Sequence, residues 1–158
     1  MSSDQSEVLT PTPVYPADKA GTDVFLLNGA RSSTNIGITI LPVRINRLED
    51  FGTVEQVADR LIQAEKAKEG QLFVELVSTN VHQEGDTTFY DIEYDVDGTR
   101  GKKRFATRVA ILDRKLFIAN GQYKCGKGGE SSCTEPQENV EGINAMRDIV
   151  QSFTLVPA

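Results

Sequence analysis

The stretch FYDIEYDVDGTRGKKR, residues 89–104, concentrates the chemically interesting groups of this 158-residue chain. Asp91, Glu93, Asp95 and Asp97 stand at every second position, and a basic cluster follows: Arg100, Lys102, Lys103 and Arg104. Acids so placed could ligate calcium, work as a general acid and base, or line one side of a strand. An EF-hand loop needs a glutamate six places after its glycine, and six places after Gly98 stands Arg104. Glycoside hydrolysis needs two carboxylates in a cleft, one with a raised pKa, and acids on a solvent-facing strand offer neither. The period of two fits a strand, with Tyr90, Ile92, Tyr94 and Val96 facing inward and the acids facing water. Beyond the turn at Asp97 and Gly98, Phe105, Thr107, Val109 and Ile111 alternate with Lys102, Arg104 and Arg108. The expectation is a hairpin with cross-strand ion pairs in water, each worth a few tenths of a kcal/mol. The basic cluster is then either compensation for these acids or a docking patch for an acidic partner.

The other reactive residues are few. His82 is the sole histidine, so serine or cysteine hydrolase chemistry would have one possible base. It stands in STNVHQEGD, where a strand meets a turn, and is expected at the surface. GQYKCGKGG resembles a phosphate loop as far as Gly126 and Lys127, but Gly128 replaces the hydroxyl that would hold magnesium. Cys125 and Cys133 are the two cysteines. They are too few for zinc and too far apart for a CxxC redox motif. A disulfide closing the Gly/Ser loop is the better reading. It would stabilise the fold by about 2–3 kcal/mol and imply an oxidising compartment. Two surface thiols in a reducing compartment are the alternative. No metal site, cofactor or catalytic residue is expected.

These groups must be positioned by one domain. A net charge of −6 disfavours nucleic acid and anionic lipid as partners, and no apolar run approaches the roughly 20 residues that span a bilayer. Residues 1–22 hold three of the six prolines and read as an extended, flexible arm. They have neither the basic nor the apolar region of a signal peptide, so a targeting sequence is either unneeded or removed. Residues 23–158 form the domain. Strand patterns occur at 23–27, 35–43, 71–81, 87–96, 102–112 and 115–123, the last four separated by QEGD, DGTRG and DR turns. Thr53 and Gln56 have the form of a capping box, followed by Val54, Val57, Leu61 and Ile62 at helical spacing. A terminal helix places Val140, Ile143, Met146, Ile149, Val150 and Phe153 on one stripe. The class is α+β, an antiparallel sheet of about six strands covered by helices.

Four stretches, in order, resemble the PsbP family of extrinsic proteins of the photosynthetic membrane. STNIGITILPV is similar to the family's Ser/Thr-Asn-Val-Ser-Val strand, and INRLEDFGTVEQVADRLI to its turn into the first helix. TTFYDIEYDV resembles the family's Tyr-Tyr-containing strand. ATRVAILDRKLFIANGQ looks like its Gly-Lys-Leu-Tyr hairpin, and the terminal helix ends in the family's Ser-Phe, here Ser152 and Phe153. The resemblance implies an α/β/α sandwich, a thylakoid-lumen location (chloroplast or cyanobacterial) and no enzymatic activity. It further implies docking on photosystem subunits at the lumenal face, peripheral to the membrane. The role would be calcium and chloride retention at the oxygen-evolving complex of photosystem II, or photosystem assembly. A histidine that some members carry, linked to metal binding, falls at Arg104, with Asp113 matching only the acid, so metal binding does not carry over. The chain has no tryptophan and carries the Cys125 and Cys133 insertion where the family has one. The alternative function is regulation of a small GTPase, since Ran-binding proteins share the same sandwich.

Overall fold

The computed structural model describes residues 14–16, 21–26, 34–99, 101–126, 133–134 and 137–156. Eight strands and two α-helices follow in the order β1 (Val14–Pro16), β2 (Gly21–Leu26), β3 (Thr34–Pro42), α1 (Val54–Lys66), β4 (Gln71–Glu84), β5 (Thr87–Gly98), β6 (Gly101–Leu112), β7 (Lys115–Gly126), α2 (Gln137–Gln151) and β8 (Thr154–Val156). Six of the strands form one antiparallel sheet in the order β2-β3-β7-β6-β5-β4. A separate two-stranded parallel ribbon joins β1 to β8. Both β1 and the start of β2 fall within the segment expected to be an arm, while residues 1–13 and 17–20 lie outside the described residues. The β8 strand has no counterpart in the sequence expectations, because three residues are too short for a period to show.

Helix α1 is built as its sequence pattern requires, whereas α2 ends at Gln151, so Phe153, expected on its stripe, lies beyond it. Thr53 caps α1: its hydroxyl accepts from the Gln56 backbone N–H at 3.2 Å, and the Gln56 side chain accepts from the Thr53 N–H at 2.9 Å. This satisfies two of the amides that a helix start leaves without partners. The two-residue turn between β6 and β7 places Asp113 (φ 54°) and Arg114 (φ 59°) in the left-handed region, as a tight hairpin demands.

The sheet is covered on both faces. Helix α1 lies on β4 and β5 over a core of Val74, Tyr90, Ile92, Tyr94, Val96, Phe105, Val109 and Ile111. Helix α2 lies on β7, β6 and β3 over Ile36, Ile38, Ile40, Ala110, Phe117 and Ala119, with Ile143, Met146 and Val150 on its inner side. This is the α/β/α sandwich. Both faces of β5 and β6 are therefore buried, and the acid-bearing face expected in water is not there.

Close approach of α2 to β7 depends on two glycines. A Cβ built on Gly142 would stand 2.2 Å from Cε1 of Tyr123, and one on Gly121 would stand 2.7 Å from Sδ of Met146. Tyr123 cannot yield, being buried and hydrogen-bonded through its hydroxyl to Asn139 Oδ1 at 3.1 Å. For Gly142→Ala, overpacking of about 1–3 kcal/mol outweighs the gain of about 1 kcal/mol in helix propensity. The expected outcome is a net loss below about 2 kcal/mol in urea unfolding. An alanine that stabilised the protein would show that α2 can lift from the sheet.

Candidate docking surface

Cross-strand register converts the alternating charges of β5 and β6 into pairs: Asp91 opposite Arg108, Asp95 opposite Arg104, Asp97 opposite Lys102. The sequence anticipates pairing of acids with bases across the two strands but not these particular partners, since Asp97 and Gly98 lie within β5 and not in the turn, and it misplaces their surroundings. Asp91, Glu93, Arg104 and Arg108 are all buried, between 4% and 7% exposed. Arg108 donates from Nε and Nη2 to the two oxygens of Asp91 at 2.6 and 2.8 Å, and from Nη1 to the Phe153 carbonyl at 3.1 Å. Its guanidinium also sits 4.9 Å from the centre of the Phe89 ring, a cation–π contact. Arg104 holds Asp95 through Nε and Nη2, and donates from Nη1 to Glu93 at 2.7 Å. From α2, Arg147 reaches the same Glu93 carboxylate with two bonds of 2.8 and 2.7 Å. These charges form a seam between sheet and helix. Sequence inspection misses Arg147 because nothing local ties it to Glu93, 54 residues away.

Two influences oppose each other at Glu93. Burial, the largest single influence, pushes its pKa up; hydrogen bonds from Arg147 and Arg104, with their charges, together bring it below the usual 4.5. A depressed carboxylate contributes stability that is complete above its unfolded value and is lost as pH falls through the lower folded value. Thermal melts followed by circular dichroism are therefore expected to hold a steady midpoint from neutrality down to that ordinary value, and to fall below it. Glu93→Gln should flatten the acid limb; an unchanged acid limb would remove Glu93 from the account.

The basic cluster does not form one patch. Arg100 lies outside the described residues. Arg104 is buried in the seam and is not a surface residue, which corrects the sequence expectation for it. Lys102 lies opposite Asp97 and Lys103 opposite Val96, so the two half-buried lysines point to opposite faces of the sheet. Strand alternation necessarily divides neighbours in this way.

The other candidates settle as follows. Cys125 and Cys133 form a disulfide with a Cα–Cα distance of 5.2 Å, both ends buried. It joins β7 to the start of the α2 segment, where the Asn139 side chain donates to the Cys125 carbonyl at 2.8 Å. His82 is partly exposed, its Nε2 3.2 Å from Glu84 Oε2, and Thr154 donates to the other oxygen of Glu84 at 2.6 Å. Among the described residues no group of three His, Cys, Asp or Glu is placed to share a metal ion. A cleft of about 440 Å³ is lined by Asn46, Arg47, Glu49, Gln83, Asp86 and Thr88. There the Thr88 hydroxyl donates to Glu49 at 2.7 Å and draws its carboxyl below the ordinary value. Such a lowered acid suits surface charge, not proton donation at neutral pH. No helix among the described residues is long and apolar enough to cross a membrane.

A six-stranded antiparallel sheet between two helices, with a seam of paired charges buried under one of them, defines an α/β/α sandwich protein. The chain belongs to the PsbP family: that family's model matches residues 2–155. It is 36% identical over 114 residues to PsbP domain-containing protein 2, chloroplastic, of Arabidopsis thaliana, covering 72% of this chain and 49% of the relative. The chain thus spans about half the length of that curated relative. Among solved structures, it is similar in fold to cyanobacterial PsbP (CyanoP) of Synechocystis sp. PCC 6803, with a TM-score of 0.59 and 19% identity over 86% of this chain and 75% of that one. A Pseudomonas aeruginosa protein of unknown function, PA94, gives 0.52 and 14% over 89% and 85%. The Ran-binding protein Mog1p of Saccharomyces cerevisiae gives 0.51 and 10% over 87% and 79%.

Proposed function

We propose that this protein is a non-catalytic auxiliary protein of a photosystem, docking at the lumenal side of the thylakoid membrane in support of photosystem II. The observation that carries this reading is the family match across residues 2–155, joined to a chloroplastic relative. The Cys125–Cys133 disulfide adds support, since such bonds persist in oxidising compartments and are rare where glutathione keeps thiols reduced. Asp91, Glu93 and Asp95 are already neutralised by Arg104, Arg108 and Arg147. Calcium or chloride retention would therefore act through docking on the photosystem and not through an ion held by these acids. The GTPase alternative rests on a likeness of fold at 10% identity, which carries no partner with it.

The test is fractionation of thylakoids from the source organism, with non-reducing thiol labelling of the protein recovered. The expected result is co-sedimentation with photosystem particles and cysteines that resist labelling. Migration with mature complexes would favour ion retention, and migration with partial complexes would favour assembly. Recovery outside the thylakoid with both thiols labelled would sink the reading.

A further inference from the structure

Strand β4 is the outermost strand of the sheet, and among the described residues it pairs with β5 alone. After a bulge near Leu76 its register runs unbroken from Ser78 to Glu84. An outer strand leaves alternate backbone N–H and C=O groups without ladder partners, and natural proteins usually blunt such edges with lysine or proline. Here the chain between residues 71 and 86 contains neither, and no arginine. It instead exposes Phe73 (57%), Leu76 (44%), Val77 (43%) and Val81 (51%).

Register shows what would fit there. Leu76, Thr79 and Val81 lie opposite Tyr94, Ile92 and Tyr90, so they continue the apolar core under α1 out to the rim of the sheet. Glu75, Ser78, Asn80, His82 and Glu84 lie opposite Asp95, Glu93, Asp91, Phe89 and Thr87, on the other face. Apart from Phe73, which lies opposite Asp97 on the same side before the bulge, that face of the strand is polar and acidic, and Asp86 in the adjoining turn adds to it. We propose that the outer edge of β4 receives an extended segment of a partner protein as an added strand, apolar on the α1 side and carrying lysine or arginine at alternate positions on the other. Main-chain hydrogen bonds would supply affinity, and side-chain alternation the selectivity. A second copy of this chain is disfavoured as occupant, because two acidic edges and a net charge of −6 on each copy oppose the approach. The inference concerns the surface alone, so a failed thylakoid co-sedimentation would leave it standing.

The experiment uses the full chain, isotopically labelled, with two probes: a peptide of alternating valine and lysine, and one of alternating valine and glutamate. Amide hydrogen exchange by NMR reports the contact. The basic peptide is expected to slow exchange at alternate positions across 78–84 and to bind about tenfold more tightly than the acidic one. Val81→Lys should weaken the basic peptide by about tenfold, with circular dichroism and the melting midpoint unchanged. Glu75→Lys should narrow the difference between the peptides. Equal binding of both peptides, or no protection along β4 at about millimolar peptide, overturns the proposal. So does a dimer by light scattering that Val81→Lys dissociates, which makes a second copy the occupant. Binding to lipid vesicles that Val81→Lys abolishes would equally replace the protein partner by a membrane surface.

Discussion

Replacing Arg108 by alanine is expected to destabilise the protein by about 3–5 kcal/mol, the cost of breaking a buried ion pair from one side. Asp91 would lose both of its 2.6 and 2.8 Å hydrogen bonds while staying in an environment where it is only 6% exposed. The Phe153 carbonyl would lose a donor, and the Phe89 ring its cation. A surface pair, as the alternation of the sequence alone suggests, would cost about 0–1 kcal/mol, so the measurement separates the two descriptions sharply. Urea unfolding gives the free energy, and for a domain of this size each kcal/mol moves the melting midpoint by about 2–4 °C. A companion variant isolates the cause. Asp91→Leu with Arg108→Met removes both charges and is expected to recover most of the loss, because the penalty is the uncompensated carboxylate and not the absence of a favourable pair. If the double variant is as unstable as Arg108→Ala, the guanidinium contributes mainly through packing on Phe89 and the Phe153 carbonyl.

Reduction of the Cys125–Cys133 disulfide is expected to cost about 2–3 kcal/mol through the entropy regained by the unfolded chain. The consequence reaches beyond the short loop. Asn139, near the start of α2, is held by the Cys125 carbonyl and the Tyr123 hydroxyl, so the bond, β7 and the helix start form one unit. Unfolding with and without reductant, read at α2 amides by hydrogen exchange, should show loss of protection beginning at residues 137–143. Cys125→Ser with Cys133→Ser serves as the control and should match the reduced protein within about 1 kcal/mol. A reduced protein as stable as the oxidised one would make the bond an ornament of its compartment. It would then no longer act as a structural constraint.

The two results bear on docking differently. The arginine seam fixes α2 on the sheet and does not present charge to a partner. The outer edge of β4, unpaired among the described residues, presents apolar side chains and acids together, and this is the arrangement that the peptide experiment interrogates. Charge reversal in the seam should therefore change stability without changing peptide selectivity; charge reversal at Glu75 should do the opposite.

Local pattern determined a good deal of this protein. The period of two in β5 and β6, the turns at Gly85 and Asp86 and at Asp113 and Arg114, the Thr53 and Gln56 cap and the stripe of Ile143, Met146 and Val150 all depend on neighbours within a few residues, and all stand in the structure. That acids would face bases across the hairpin was equally legible, but the register was not: Asp97 and Gly98, read as the turn, belong to β5 and lie opposite Lys102 and Gly101, which shifts every pair. Whether that paired face meets water was not. Exposure of one side of a strand depends on what is packed over it, and α2 brings Arg147 to Glu93 from 54 residues away. The division of Lys102 and Lys103 between faces follows from alternation. The burial of Arg104 follows from the packing of α2 over β6, and the position of β4 at the outer edge from the order of strands in the sheet. Sequence spacing specifies which side chains share a face; long-range packing decides which faces are left for a partner.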